Sequence, residues 1–248
     1  MPSDLHGRAA IVTGASRNIG RAIARALAER GAAVLVHARD ARDEAEETAD
    51  AVRKAGGRAV VALADLTDPR APAKLVEEAL KAFGRIDILV NNAALRPEAP
   101  FAEITYDAWR TVMALCLDGA FLLSQAALPA LKASDQATIV NLGGLTGHTG
   151  AKHRAHVVAA KAGLTGLTKA MAHDLADYGI TVNCVSPGLI ETKRGDGKAP
   201  HHHATRVNVL GRRGTAEEVA AAVTMLCGAD ARYITGQTIH VNGGALMV

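Results

Sequence analysis

The sequence predicts one α/β domain in which a doubly wound parallel sheet of about seven strands is flanked by helices. Three observations predict it. Short β-branched runs alternate along the chain with Ala-rich stretches of helical spacing. The strand runs are continuously apolar rather than alternating, as expected of strands covered by helices on both faces. The length, 248 residues without an evident linker, is one that such domains reach undivided.

The elements follow in order. Ala9-Ala10-Ile11-Val12 reads as the first strand, and a turn containing glycine leads into a helix through Arg30. Val34-Leu35-Val36 is the second strand, followed by a charged helix over 43–54, and Ala59 to Leu63 is the third. A helix over 72–83 leads into the fourth strand, 86–90. A long helix over 109–131 precedes the strand Thr138-Ile139-Val140, and a second long helix over 157–176 precedes the strand 180–185. A helix over 217–226 and the strand Thr238-Ile239-His240-Val241 close the chain. Repeated βαβ units with right-handed crossovers give the doubly wound arrangement. The irregular segment 191–214, rich in Gly, Lys and His, is expected to be a lid or substrate loop within this single domain, residues 1–248.

Composition narrows the function. Hydrophobic residues make up 49% and charged residues 21%, which suits a globular protein, and a net charge of +3 without a basic tract argues against nucleic acid. No signal-like N-terminus and no membrane-length stretch is expected. The three cysteines, Cys116, Cys184 and Cys227, have no metal-type spacing, and their odd number argues against a disulfide framework. A cytoplasmic location is the expectation.

The run Thr13-Gly14-Ala15-Ser16-Arg17-Asn18-Ile19-Gly20 follows the first strand and opens the first helix. Gly14 permits a tight turn and Gly20 a close backbone approach. The helix N-terminus beyond them offers free N–H groups and a positive dipole to a pyrophosphate. This run resembles the Thr-Gly-x-x-x-Gly-x-Gly pattern of the short-chain dehydrogenase/reductase family, and the likeness extends through the chain. Asn91-Asn92-Ala93-Ala94, Pro187-Gly188-Leu189-Ile190-Glu191-Thr192, Tyr233-Ile234-Thr235-Gly236-Gln237 and Val241-Asn242-Gly243-Gly244 resemble further elements of that family. Asn18 and Ala94 stand where the family carries glycine, and Asn tolerates a left-handed backbone.

The resemblance implies a Rossmann-like, nicotinamide-dependent oxidoreductase acting on a small alcohol or carbonyl compound, assembled as a homotetramer or homodimer. It implies dinucleotide contacts from Gly14, Ser16, Arg17, Asn18, Ile19 and Gly20. It implies further contacts from Arg39, Asp65, Leu66, Asn92, Ala93, Ala94, Lys161, Pro187, Gly188, Ile190 and Thr192. Ala38 stands where NAD-preferring members carry Asp, and Arg39 and Arg17 suit the 2′-phosphate of NADP, although Asp40 is placed to pair with Arg39. NADP is therefore expected rather than NAD.

The family also implies a Tyr-x-x-x-Lys pair, a serine and an asparagine for catalysis. Lys161 is present, but Val157 stands in the tyrosine's place, Gly144 in the serine's and Cys116 in the asparagine's. His153, four residues before Val157, is the candidate replacement acid beside Lys161; His148 and His156 also flank the site. Tyr106 or Tyr178 reaching that place from elsewhere would restore ordinary chemistry. His201-His202-His203 are expected to be surface residues, and no metal is expected, since no carboxylate or cysteine joins them at ligand spacing. Three functions stay open: an oxidoreductase with a non-standard proton donor, a non-redox enzyme on the same scaffold, and a non-catalytic nucleotide binder.

Overall fold

The computed structural model describes residues 4–192 and 208–248. Seven parallel strands form one sheet in the order β3-β2-β1-β4-β5-β6-β7: β1 (Ala9–Val12), β2 (Ala33–Ala38), β3 (Ala59–Leu63), β4 (Ile88–Asn91), β5 (Thr138–Leu142), β6 (Thr181–Pro187) and β7 (Thr238–Val241). The order reverses between β1 and β4, whose pairing sets Ile11 beside Leu89. This is the expected doubly wound α/β domain.

The strand runs are unbroken because both faces are covered. Ala10, Val12, Val34, Val36, Ile88 and Val90 point into a core shared with α1 (Asn18–Glu29), α2 (Arg42–Lys54) and α8 (Ala216–Cys227). The intervening Ile11, Leu35, Leu89, Ile139 and Val182 point the other way. There they meet α3 (Ala71–Phe83), α5 (Gly119–Lys132) and α7 (Ala155–Asp174). Two-residue periodicity within each strand thus feeds two cores at once.

The long helix expected over 109–131 is longer and not uniform. α4 (Tyr106–Met113) passes through a π-helical turn, Ala114–Asp118, into α5. Together they run 27 residues, long and apolar enough to cross a membrane by length and composition, which the sequence reading did not anticipate. Val112, Cys116, Leu123, Ala127 and Leu131 on this helix are buried within the protein. A four-residue helix, α6 (Thr146–Thr149), also escaped the sequence reading.

Most of the expected lid, 193–207 with His201-His202-His203, lies outside the described residues. Its two flanks meet: Ile190 and Gly214 form a parallel bridge, and the Glu191 amide donates to the Gly214 carbonyl at 2.8 Å. Beyond it, Thr215 and Glu218 form a reciprocal capping box that starts α8.

Candidate active site

Where the strand order reverses, the C-terminal ends of β1 and β4 part and leave a cleft of about 460 Å³. Its floor is the turn after β1. Gly14 has φ +60°, and a Cβ there would lie 3.0 Å from the Ala93 Cα, so the left-handed turn and the close approach both demand glycine. A Cβ on Gly20 would meet the Gly14 carbonyl and lie 2.7 Å from the Asn92 amide nitrogen. Asn18, in the place of a third glycine, adopts φ 51°.

Hydrogen bonds across the switch point hold this turn. Asn92 Nδ2 donates to the carbonyls of Thr13 (2.8 Å) and Gly14 (3.0 Å). Thr13 Oγ1 accepts from the amides of Asn92 (2.9 Å) and Ala93 (3.0 Å). Arg21, which sequence reasoning did not single out, donates to the Ser16 carbonyl and to Thr48 Oγ1 of α2, tying the loop to its neighbour. Arg17 is the N-cap residue of α1 and makes no side-chain cap. The first turn of α1 holds no acidic residue, so its positive dipole is open toward the cleft.

His37 is a second residue that the sequence reading missed. It is 2% exposed at the end of β2; its Nδ1 accepts from the Gly14 amide (3.2 Å) while its Nε2 donates to the Ala64 carbonyl (2.9 Å). Those partners fix a neutral Nε2–H tautomer, and burial pushes the imidazole pKa down from 6.5. The ring therefore ties together the loops after β1, β2 and β3. Asp65, after β3, accepts from the amide and hydroxyl of Thr67, which hold its carboxyl below the usual range. Arg39 pairs with Asp40 at 2.8 Å, both side chains largely exposed.

Every residue singled out for dinucleotide contact, from Gly14 to Thr192, lines this one cleft. Gly188 admits the backbone of Asn242: a Cβ there would lie 2.7 Å from the Asn242 Cα. Arg17, Arg39, Arg96, Arg154 and Lys161 also line it, against Asp40 and Asp65, giving an excess of positive charge among the described residues.

At the inner end, Lys161 is 5% exposed, its Nζ donates to the Leu142 carbonyl, and burial drives its amine toward the neutral form. α6 packs on this part of α7 because residue 147 is glycine, whose Cβ would lie 3.0 Å from the Lys161 backbone. Val157 lines the cleft one turn before Lys161 and is 1% exposed, packed with Val112, Cys116 and Ala160. Gly144 lines the cleft as well. Cys116 is not on the cleft wall; its Sγ lies 3.4 Å from the Leu95 amide, which donates to it. Tyr106, Tyr178 and Tyr233 are exposed and absent from the lining.

The expectation that His153 faces the cleft is corrected. His153 takes φ 60° and its carbonyl accepts from the Ala99 amide at 2.9 Å, so the residue presented to the cleft is Arg154. His148 sits instead against His240, ring centroids 4.8 Å apart, and neither it nor His156 lines the cleft. Asn141 points away from the cleft, buried between Asn91 (2.8 Å) and Thr168 (2.9 Å). Among the described residues, no group of His, Cys, Asp and Glu is placed to hold a metal.

A family model described as enoyl-(acyl carrier protein) reductase matches residues 14–245. The chain is 39% identical over 248 residues to a 3-oxoacyl-(acyl-carrier-protein) reductase of Vibrio cholerae, covering 99% of this chain and 100% of that one. A dehydrogenase/reductase from Sinorhizobium meliloti is 36% identical with a TM-score of 0.93, covering 99% and 97% of the two chains. A short chain dehydrogenase from Burkholderia cenocepacia, solved in complex with NADP, is 34% identical with a TM-score of 0.92, covering 98% and 99%.

Proposed function

The chain belongs to the short-chain dehydrogenase/reductase family, and from that premise we propose that it is an NADP-dependent oxidoreductase for a small alcohol or carbonyl substrate, with a proton donor other than the family's tyrosine. One observation carries the reading. The residues expected to meet a dinucleotide line one cleft with Lys161, and beside it stand Val157 and Gly144, which we align with the family's tyrosine and serine.

The residues present fit the dinucleotide. The Gly14 and Gly20 approaches leave no room for side chains, so backbone amides and the N-terminus of α1 face the cleft where a pyrophosphate binds. Arg17 and Arg39 are the cations for a 2′-phosphate, and Ala38 leaves the end of β2 without a carboxylate that would repel it. The structural relative solved with NADP supports the same choice. When bound, the nicotinamide supplies hydride chemistry. Lys161 is the titratable side chain at the inner end that is placed to hold the ribose and to move a proton, its burial favouring the neutral amine.

A second reading, a non-catalytic NADP binder, is favoured by the apolar packing of Val157 against Val112, Cys116 and Ala160. The two separate in one experiment: NADPH titration by fluorescence, then turnover against a panel of carbonyl compounds. Binding with turnover supports the oxidoreductase; binding without turnover on any of them overturns it in favour of the binder.

We assign the assembly as a homotetramer or homodimer on the surface of the α4–α5 helix, which is 39% buried over its most apolar stretch in the single chain. Light scattering that returns a monomer overturns this. The three unpaired, buried cysteines suit a reducing compartment such as the cytoplasm.

A further inference from the structure

The surroundings of Lys161 give its amine a chemistry that holding a ribose does not use. The residue is 5% exposed and lines the cleft. Its Nζ donates to the Leu142 carbonyl at the end of β5. That partner is an acceptor, so it takes one N–H and leaves the lone pair of the neutral amine unused. Val157 lines the cleft one helical turn before, and Leu95 and Leu115, also on the lining, pack against the Val157 cluster. Gly143 and Gly144 follow Leu142 and bring no side chain to this end; a Cβ on Gly144 would meet nothing within 4 Å.

The carboxylates on the described lining, Asp40 and Asp65, follow β2 and β3. β1 and β4 stand between β2 and β5, which sets those strand ends about 14 Å apart. Cys184 on β6 is the close sulfur: a Cβ on Gly143 would lie 2.6 Å from its Sγ. Burial raises that thiol, so it offers no thiolate to hold an ammonium. Burial is also the largest effect on Lys161 and favours its uncharged form; Arg96 pushes the same way, and Cys116 and Cys184 oppose it. A lysine desolvated among apolar groups is a nucleophile for carbonyl carbon. An ordinary lysine, titrating at about 10.4, is neutral in only about one molecule in a thousand at pH 7.4.

We propose that Lys161 is a covalent site for ketones and aldehydes, open when no nucleotide holds the amine, where a carbonyl compound with an apolar chain forms an imine against Val157, Leu95 and Leu115. Nζ bonds to the carbonyl carbon and one of its protons passes to the oxygen, giving a carbinolamine. The C–O bond then breaks, and the oxygen leaves as water with the second proton of the nitrogen. No oxidant or reductant is consumed. The site goes beyond the dinucleotide reading, since ribose and carbonyl compound take the same amine in turn.

The test uses the full chain, free of nucleotide, at pH 7.4. The probe is acetylacetone, a 1,3-diketone whose imine rearranges to a conjugated enaminone with a near-ultraviolet band. Digestion and mass spectrometry then locate the adduct, the diketone less one water. One adduct per chain is expected, on Lys161, formed about tenfold or more faster than on the exposed Lys54, Lys74 and Lys81 of the same sample. From pH 7 to pH 9 the rate on those exposed lysines climbs about tenfold per unit, and the rate on Lys161 climbs less. Lys161→Met loses the band; the wild-type peptide map assigns the lysine even if that variant does not fold. The absence of a band, an adduct spread evenly over the lysines, or a Lys161 rate that climbs as steeply as the others overturns the imine assignment. NADP, its binding read by calorimetry, slows labelling of Lys161 alone. Labelling that bound NADP leaves unchanged overturns the ribose role of Lys161 instead, because the imine is read on nucleotide-free protein.

Discussion

Replacing Gly144 by Ser and Val157 by Tyr together should convert this cleft into one with the family's ordinary chemistry. Space is available for both. A Cβ on Gly144 meets nothing within 4 Å, and the backbone there is not left-handed, so a serine adds its hydroxyl without strain. Val157 already lines the cleft, so a tyrosine at 157 can extend into open volume, one helical turn from Lys161. Part of the larger ring crowds Val112 and Cys116, at a cost of about 1–3 kcal/mol in stability. A positioned general acid contributes about 10²–10⁴-fold. A hydrogen-bond donor to the developing oxyanion contributes about 10²–10³-fold, and the two do not multiply. The double variant should therefore turn over a carbonyl substrate at least about 10²-fold faster in kcat/KM than the wild type. Each single variant should gain less. The assay is oxidation of NADPH by wild type, both single variants and the double variant, with circular dichroism and NADPH binding as controls. A folded double variant that binds NADPH as the wild type does and shows no gain refutes the reasoning. So does a wild type already in the ordinary range of about 10⁴–10⁸ M⁻¹s⁻¹.

Three further outcomes are expected. Arg17→Ala should weaken NADPH binding about tenfold or more and leave NADH binding unchanged, whereas Asp40→Ala, by releasing Arg39 from its ion pair, should tighten NADPH; fluorescence titrations that rank NADH above NADPH in the wild type refute the cofactor assignment. Gly20→Ala should abolish nucleotide binding and lower the melting temperature, since its Cβ has no room against Gly14 and Asn92; unchanged binding would show that the turn relaxes at no cost. His37, His148, His156 and His240 are all held below the ordinary 6.5, in each case first by burial. The unfolded chain therefore takes up protons that the native state refuses, so stability is complete above about pH 6.5 and falls as pH drops below it. Melting temperatures that stay flat from about pH 7 to pH 5 contradict this.

Much of the fold was legible because its signals are local. Gly14 and Gly20 carry their steric demand in their own identity, and the runs around Ile11, Leu35 and Leu89 announce strands covered on both faces. What was missed depends on residues far apart in sequence. His37 reads as one more polar residue at a strand end until the Gly14 amide and Ala64 carbonyl close on its two nitrogens. Arg154 and Arg96 are 58 positions apart, and only the folded chain joins them. The choice of His153 as the cleft-facing residue rested on its place four residues before Val157, at the start of the helix or in the loop before it. The helix begins only at Ala155, and the left-handed turn before it shifts the cleft position to Arg154. The short α6, Thr-Gly-His-Thr, has no helical periodicity to read; it is held by packing on α7 through Gly147. The π-helical turn at Cys116 likewise leaves no mark in a pattern of apolar residues.

The rung between Ile190 and Gly214 brings the two ends of one segment to a single spot. Whatever residues lie between those two positions close a ring whose entropic penalty grows only with the logarithm of its length, about 0.6 kcal/mol for each doubling. The pairing of β6 with β7 lies outside the ring, whereas Arg212 within it holds Glu218 of the α8 capping box at 2.6 Å. That position is thus a natural graft point: segments of different size and chemistry can be exchanged between the two partners of the rung, provided that Arg212 is kept for Glu218.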